Sequence, residues 1–151
     1  MYRLLGDNHM LEGLPFSAQV FLRALDGVRN RLASEAGVSV PELEALARVA
    51  ESAGLRSAAL VDYLELSRGA VDSVVDELVR RDLLSHAPGE SEGAVILNLT
   101  PTGHSLMGAI YDAFQQTINA AAESLDADRR QGFESGMLKM ARKLEAESEK
   151  S

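Results

Sequence analysis

The fold of this chain is decided by residues 42–84, which read ELEALARVAESAGLRSAALVDYLELSRGAVDSVVDELVRRDLL. Apolar residues recur there at intervals of three and four, which is the period of one face of a helix. Gly54 and the turn at residues 65–67 interrupt this pattern, so the stretch predicts three short helices. Ser39 is predicted to cap the first helix, and Ser67 is predicted to cap the third. The inward-facing positions are predicted to be Leu43, Leu46, Ala47 and Ala50, then Leu60, Val61 and Leu64, then Val71, Val74, Val75 and Leu78.

Beyond residue 83 the apolar period changes from that of a helix to that of a strand. Residues 86–93 are rich in proline, glycine and glutamate, and residues 95–99 read VILNL, a run of strand formers. Two short strands joined by such a loop form a β-hairpin. Three short helices followed by a hairpin are the plan of a winged helix-turn-helix. In that plan the third helix enters the major groove of DNA, and the hairpin, called the wing, reaches the backbone or the minor groove.

Long helices are predicted on both sides of this lobe. Residues 1–15 show little periodicity and predict an irregular arm, whereas a helical period begins at Ser17. Pro101 predicts the start of a further helix, and Asp126 predicts the cap of a last one. The predicted fold class is mainly α with a small β-hairpin wing. We interpret residues 1–151 as a single domain, with an N-terminal arm and helix at 1–37, a winged helix-turn-helix lobe at 39–100 and C-terminal helices at 101–151.

The composition and the motifs exclude several classes of function. The chain has no cysteine, which excludes disulfides, thiolate catalysis and cysteine-ligated metal sites. His9, His86 and His104 lack the spacing of metal ligands, and neither a nucleophile elbow nor a phosphate-binding glycine loop is present. We therefore expect no enzyme, no metal and no cofactor. No apolar run approaches the ~20 residues of a membrane span and no secretion signal is recognisable. The expectation is a cytoplasmic protein without a membrane partner.

Two segments carry a resemblance to a known family. Residues 42–103 resemble the DNA-binding lobe of the MarR family of transcription regulators. Within them, LNLTPTG at residues 97–103 is similar to the segment that leads the family's wing into the next helix. The family flanks this lobe with one N-terminal and two C-terminal helices, so the resemblance covers most of the chain. It implies a homodimer in which those helices pack together, and a second copy would cover the apolar stripes that a small lobe leaves exposed.

The resemblance also implies which residues would contact double-stranded DNA. Arg68 would begin the helix in the major groove, where it would pair with a guanine or hold a phosphate. Ser67 would cap that helix and leave its first N–H groups to a phosphate. Arg56 and Ser57 would face the DNA backbone. The full set of candidate DNA-binding residues is Arg56, Ser57, Ser67, Arg68, Gly69, Ala70, Asp72, Ser73 and Ser91.

The candidate lobe departs from the family in its charge. The family's wing commonly carries Asp-x-Arg before its second strand, and Ser91 and Gly93 stand at those positions here. Between Arg56 and Leu99 there are four arginines and eight acidic residues, a net charge of −4, in a chain of net charge −8. DNA affinity depends on phosphate neutralisation, although Asp72 could accept a hydrogen bond from cytosine. Two interpretations stay open: an atypically acidic DNA-binding regulator, or a MarR-fold protein that has lost DNA binding and acts as a ligand sensor or protein-interaction module.

A ligand site is a further implication of the resemblance. The family often binds small aromatic carboxylates in a crevice between the dimer helices and the lobe. By that resemblance the candidate lining residues are Phe21, Arg23, Tyr111 and Phe114, because an arginine pairs with a carboxylate and aromatic rings stack on a ring. Helical spacing alone favours the alternative that these aromatic residues belong to the core.

Overall fold

The structure is a computed structural model that describes residues 13–150. It is mainly helical and carries a small antiparallel sheet, which confirms the predicted fold class. The elements in chain order are α1 (Gly13–Glu35), α2 (Val40–Glu51), β1 (Leu55–Arg56), α3 (Ala59–Leu64), α4 (Arg68–Arg80), β2 (Leu84–Pro88), β3 (Val95–Leu99), α5 (Pro101–Ala122) and α6 (Ala127–Ser148). None of the helices within residues 13–150 combines the length and the apolar character needed to cross a membrane.

The first helix begins earlier than its sequence predicts. Residues 13–15 were expected in an irregular arm, but α1 starts at Gly13 and includes Pro15. Proline is tolerated there because the N–H groups of a first helical turn have no intrahelical partner to lose. The rest of the predicted arm, residues 1–12, lies outside the described residues, as does His9. Gly37 ends the helix as predicted, with a φ of 68° that suits glycine.

Side-chain caps at three predicted residues set the starts of α2, α4 and α6. The Ser39 hydroxyl accepts from the Glu42 N–H at 3.3 Å while the Ser39 N–H donates to the Glu42 carboxylate at 2.8 Å, a capping box at α2. Ser67 accepts from the N–H of Ala70 at α4, and Asp126 accepts from the N–H of Arg129 at α6. These contacts are local, so the sequence contains everything needed to predict them.

The sheet has three strands rather than the two of the predicted hairpin. Its order is β1-β3-β2, with Leu55 opposite Leu97 and Leu84 opposite Leu99. The added strand, β1, has only two residues and exists because it pairs with β3. The Ser57 N–H then donates to the Val95 carbonyl at 2.9 Å, so the segment that leads into α3 is hydrogen-bonded directly to the wing.

The core lies between the short helices and the sheet. Leu46, Leu60, Leu78 and Leu97 are fully buried there. One part of the predicted core is wrong, because Ala50 is exposed and Ala47 half-buried, whereas Ala45 and Val49 are buried. The reason is that α2 packs against α1, α3, α4 and β3, so its buried surface is wider than one helical stripe.

The described part of the chain divides into two compact units, residues 13–114 and residues 115–150. The first contains the winged helix-turn-helix lobe, α1 and the first half of α5. The second contains the rest of α5 and α6. No residue of α6 is buried, and Phe133, Met137, Met140 and Leu144 are exposed along it. Apolar side chains at this spacing form a stripe on one face of the helix.

Candidate nucleic-acid interface

The helix α4 has one buried face and one exposed face. Val71, Val75 and Leu78 point into the core. A helix of 3.6 residues per turn places most of the remaining polar positions on the side away from that buried stripe, and Arg68 is exposed in the first turn. We call that side the exposed face of α4, and its residues are Arg68, Gly69, Asp72, Ser73, Asp76 and Arg80. This face contains four of the nine residues that the sequence predicted for DNA contact, namely Arg68, Gly69, Asp72 and Ser73.

The first turn of α4 presents backbone and one cation to solvent. The Ser67 hydroxyl accepts a hydrogen bond from the Ala70 N–H at 3.2 Å. The N–H groups of Arg68 and Gly69, in the same first turn, have no hydrogen-bond partner within the helix. A Cβ at Gly69 would meet no atom within 4 Å, so the surface beside it is open. The Arg68 side chain makes no hydrogen bond or ion pair with any of residues 13–150. This turn can therefore approach an anion closely.

Ser73 and Asp72, two other polar side chains on this face, differ in their free hydrogen-bonding capacity. The Ser73 hydroxyl donates to the Gly69 carbonyl at 3.0 Å, one turn back in the same helix. Its one hydrogen is therefore engaged within α4. Asp72 is exposed and makes no hydrogen bond or ion pair within the described part of the chain. Its carboxylate remains available as an acceptor.

Arg80 is held by a carboxylate on its own helix. Its Nε donates to Glu77 Oε2 at 2.9 Å and its Nη2 donates to Glu77 Oε1 at 2.6 Å. This two-point pairing lowers the pKa of Glu77 and raises the pKa of Arg80, chiefly through the hydrogen bond between them. The pairing was not predicted from the sequence, although a glutamate three residues before an arginine on a helix is a signal for it.

The four arginines between Arg56 and Leu99 thus divide into two that are engaged by carboxylates and two that are not. Arg80 is engaged by Glu77, and Arg81 lies 3.6 Å from a carboxylate oxygen of Glu42. Arg56 and Arg68 are exposed and have no such partner among residues 13–150. Arg56 lies on β1 opposite Ile96 of β3, between the wing and the start of α3. Because Arg48 also pairs with Glu51, the acidic lobe offers two unpaired arginines rather than five.

The tip of the wing is a short turn without a positive charge. The Gly89 N–H donates to the Ala94 carbonyl at 2.7 Å, and the Ala94 N–H donates to the Ser91 carbonyl at 3.0 Å. Gly93 has a φ of 75°. Ser91, the candidate contact residue of the tip, is exposed and is flanked by the exposed carboxylates of Glu90 and Glu92.

The four candidate ligand residues are all exposed rather than in the core. Phe21 and Arg23 lie on α1, while Tyr111 and Phe114 lie on α5. Tyr111 is 64% exposed, which argues against the alternative that these aromatic residues are core. Open cavities of about 290 and 560 Å³ lie elsewhere, beside residues 40–66 and at the wing tip, and none of the four residues lines either. Within residues 13–150 no group of three potential metal ligands is placed to hold an ion.

Comparison with known proteins assigns the fold. No protein-family model matches the chain, and neither does any curated protein. Among solved structures, apo MarR from E. coli is similar with a TM-score of 0.73 and 19% identity, over 85% of this chain and 98% of that one. A MarR family regulator from Silicibacter pomeroyi has a TM-score of 0.70 and 17% identity, over 91% and 94% of the two chains. PcaV from Streptomyces coelicolor, solved with its natural ligand, has a TM-score of 0.66 and 19% identity, over 91% and 98%.

Proposed function

We propose that this chain, whose fold is that of the MarR family transcription regulators, is a homodimer that binds double-stranded DNA and regulates transcription. The observation that carries the proposal is the exposed face of α4, which combines an unpaired Arg68, open space at Gly69 and unsatisfied N–H groups in its first turn. Together these features suit a helix that enters a groove and meets base edges and phosphates. The candidate set from Arg56 to Ser91 remains our proposal for the DNA contact.

The dimer part of the proposal rests on apolar side chains that this chain leaves exposed. On α1 these are Leu14, Val20, Phe21 and Leu22, and on α6 they are Phe133, Met137, Leu138, Met140 and Leu144. Clusters of exposed apolar side chains mark interaction sites. A second copy is the natural partner, because a two-fold dimer would cover the same stripes on both chains and would place two α4 helices for a two-fold DNA site.

Binding of this kind would depend on few phosphate contacts. Two unpaired arginines, Arg56 and Arg68, together with Ser57 and the Ser91 region of the wing, would contact the backbone of each half-site. Since each neutralised phosphate adds about one to the slope of log affinity against log salt, we expect a shallower slope than that of a basic DNA-binding lobe. Sequence-selective binding would then come mainly from base contacts.

Ligand response is a separate part of the proposal. An arginine and three exposed aromatic rings, from Phe21, Arg23, Tyr111 and Phe114, provide the groups that a small aromatic carboxylate would need. The PcaV structure contains the natural ligand of that protein. DNA binding measured with and without benzoate would read out such a response.

A second function is favoured by the charge of the lobe. Three of its five arginines are engaged by carboxylates, and its wing tip carries only acidic charge. This arrangement would suit a MarR-fold protein that has lost DNA binding and acts as a ligand sensor or a protein-interaction module. Such a protein would show no salt-dependent binding to any DNA fragment.

Arg68→Ala is expected to weaken specific DNA binding about tenfold or more, since one bidentate contact to a base contributes about 1–3 kcal/mol. The measurement is fluorescence anisotropy with fragments from the neighbourhood of the gene, titrated across salt. Arg142→Ala is the matched control, because Arg142 is an exposed arginine of α6, outside the lobe. Selective binding by the native chain with equal affinity in Arg68→Ala would contradict the role of this helix, and no selective binding by the native chain would favour the second function.

Glu77→Gln is expected to strengthen non-specific DNA binding. The change removes one negative charge from the lobe and releases the Arg80 guanidinium from its two-point pairing. A released arginine can neutralise one more phosphate, so the salt slope should steepen by about one. The same titration on Glu134→Gln, an equal charge change on α6, should leave the slope unaltered. Identical slopes for Glu77→Gln and the native chain would mean that Arg80 does not face DNA.

A further inference from the structure

Only part of the exposed face of α4 is able to read bases. A recognition helix contacts base edges mainly with its N-terminal residues. Asp72 rises about 6 Å along the axis from Arg68, and Asp76 about 12 Å. Of the side chains near the start, Ser73 is bonded to Gly69 and Gly69 carries none. Arg68 is therefore the side chain that can donate hydrogen bonds to the groove, and Asp72 is the charged acceptor, while Ser73 keeps only the lone pairs of a neutral hydroxyl.

The Asp72 carboxylate is an acceptor without a donor. Neither Arg68 nor any other residue of the described chain pairs with it, and it stands on the exposed side of the helix. An ionised carboxylate can only accept hydrogen bonds. When it is brought into a groove without a donor, it loses its water and gains nothing in return. It therefore either opposes binding or finds a donor on the DNA.

The chemistry of the major groove limits that donor to two groups. Phosphates and the O4, O6 and N7 atoms of bases are acceptors, which repel a carboxylate, so only the cytosine N4 and adenine N6 amines remain. The adenine amine lies beside N7, whose lone pair also faces the groove, whereas the cytosine amine lies beside a C–H group. Each amine also lies beside an acceptor of the paired base, O4 of thymine or O6 of guanine, so adenine has two flanking acceptors and cytosine has one. Cytosine is consequently the base that satisfies the carboxylate with less repulsion.

Building on the proposed DNA-binding function, we infer that Asp72 is the specificity-determining residue of this surface. Its carboxylate accepts a hydrogen bond from the N4 amine of a cytosine in the major groove. That cytosine lies one or two base pairs from the base or phosphate that Arg68 contacts, because a rise of about 6 Å spans fewer than two base-pair steps of about 3.4 Å. A base without a donor at that position is rejected, since it leaves the carboxylate unpaired.

The test starts from a random duplex library, from which the native chain selects its preferred sites. We expect one cytosine position per half-site that Asp72→Ala no longer selects. Replacing that cytosine by N4-methylcytosine, which keeps its pair with guanine but lacks the free groove-facing hydrogen, should weaken native binding about tenfold and leave Asp72→Ala unaffected. Asp76→Ala is the matched control, because it removes the same charge from the same face and should keep the cytosine preference.

The outcomes separate this inference from the function on which it rests. Selective binding by the native chain, with the same cytosine preference in Asp72→Ala, would overturn the inference and leave the DNA-binding function in place. The inference is equally overturned if Asp76→Ala loses the preference to the same extent, because general charge would then be the cause. Absence of any selected sequence for the native chain would overturn both.

Discussion

Gly103→Ala is expected to destabilise the protein by about 3 kcal/mol, although alanine is the best helix former and Gly103 lies within a helix. A Cβ at this position would overlap the Leu83 carbonyl oxygen and would stand 3.1 Å from its carbonyl carbon. Both atoms belong to backbone, so no side-chain rotation relieves the overlap. The first turn of α5 or the start of β2 would have to move.

The surrounding hydrogen bonds explain why that movement is costly. The Thr100 hydroxyl accepts from the Gly103 N–H at 3.0 Å and donates to the Asp82 carbonyl at 2.5 Å. The Thr100 N–H also donates to the Leu83 carbonyl at 3.2 Å. Separating the two segments would strain or break these bonds at a buried position, where an unsatisfied polar group costs about 1–3 kcal/mol.

Urea unfolding followed by circular dichroism measures the effect, and Gly108→Ala is its control. Gly108 lies in the same helix, and a Cβ there would meet no atom within 4 Å. Alanine at that position should stabilise the chain by up to about 1 kcal/mol, because glycine is a poor helix former. Equal stability of the two variants would mean that α5 does not approach the backbone of residue 83 so closely.

Met140→Glu is expected to weaken the proposed dimer about a thousandfold. Met140 is 44% exposed and lies in the apolar stripe of α6 between Met137 and Leu144. In a two-fold dimer the change occurs on both chains. Each chain loses about 2 kcal/mol of the free energy gained by burying an apolar side chain, so the dimer is weakened by about 4 kcal/mol. A factor of ten in affinity corresponds to about 1.4 kcal/mol. Two carboxylates facing one apolar surface would add a desolvation cost.

Sedimentation equilibrium over a range of concentrations measures the association. Ser135→Glu is the matched control, because it adds a carboxylate to the opposite side of the same helix. The control should associate as the native chain does, and the circular dichroism of both variants should retain the helical signal. If the native chain is monomeric at every concentration, or if the Met140→Glu variant dimerises normally, the prediction that α6 lies in the dimer interface is contradicted.

The predictable parts of this protein depend on neighbours in sequence. The caps at Ser39, Ser67 and Asp126 each join groups three residues apart, and each was predicted at the residue where it occurs. The two clearest errors have the opposite character. The strand β1 forms only by pairing with a segment about 40 residues away, and the burial of Ala45 depends on three other helices and a strand. No local pattern carries that information.

The candidate site divides in the same way. The sequence alone predicted that Arg68, Gly69, Asp72 and Ser73 are exposed, because none of them belongs to the buried stripe of Val71, Val75 and Leu78. Charge counting alone predicted an acidic lobe. Which charges are available was decided only in three dimensions, where Glu77 engages Arg80 and Glu42 engages Arg81. Whether those residues meet DNA stays a prediction.

Taken by itself, the sequence determined the order of the elements, their caps and the two faces of α4, since helix period and capping act over three or four residues. Only the tertiary structure decided the third strand, the requirement for glycine at position 103 and the pairing of Arg81 with Glu42. The physical reason is distance along the chain. These contacts join residues that are far apart in sequence, such as Leu55 with Leu97, and they exist only because the core brings those segments together.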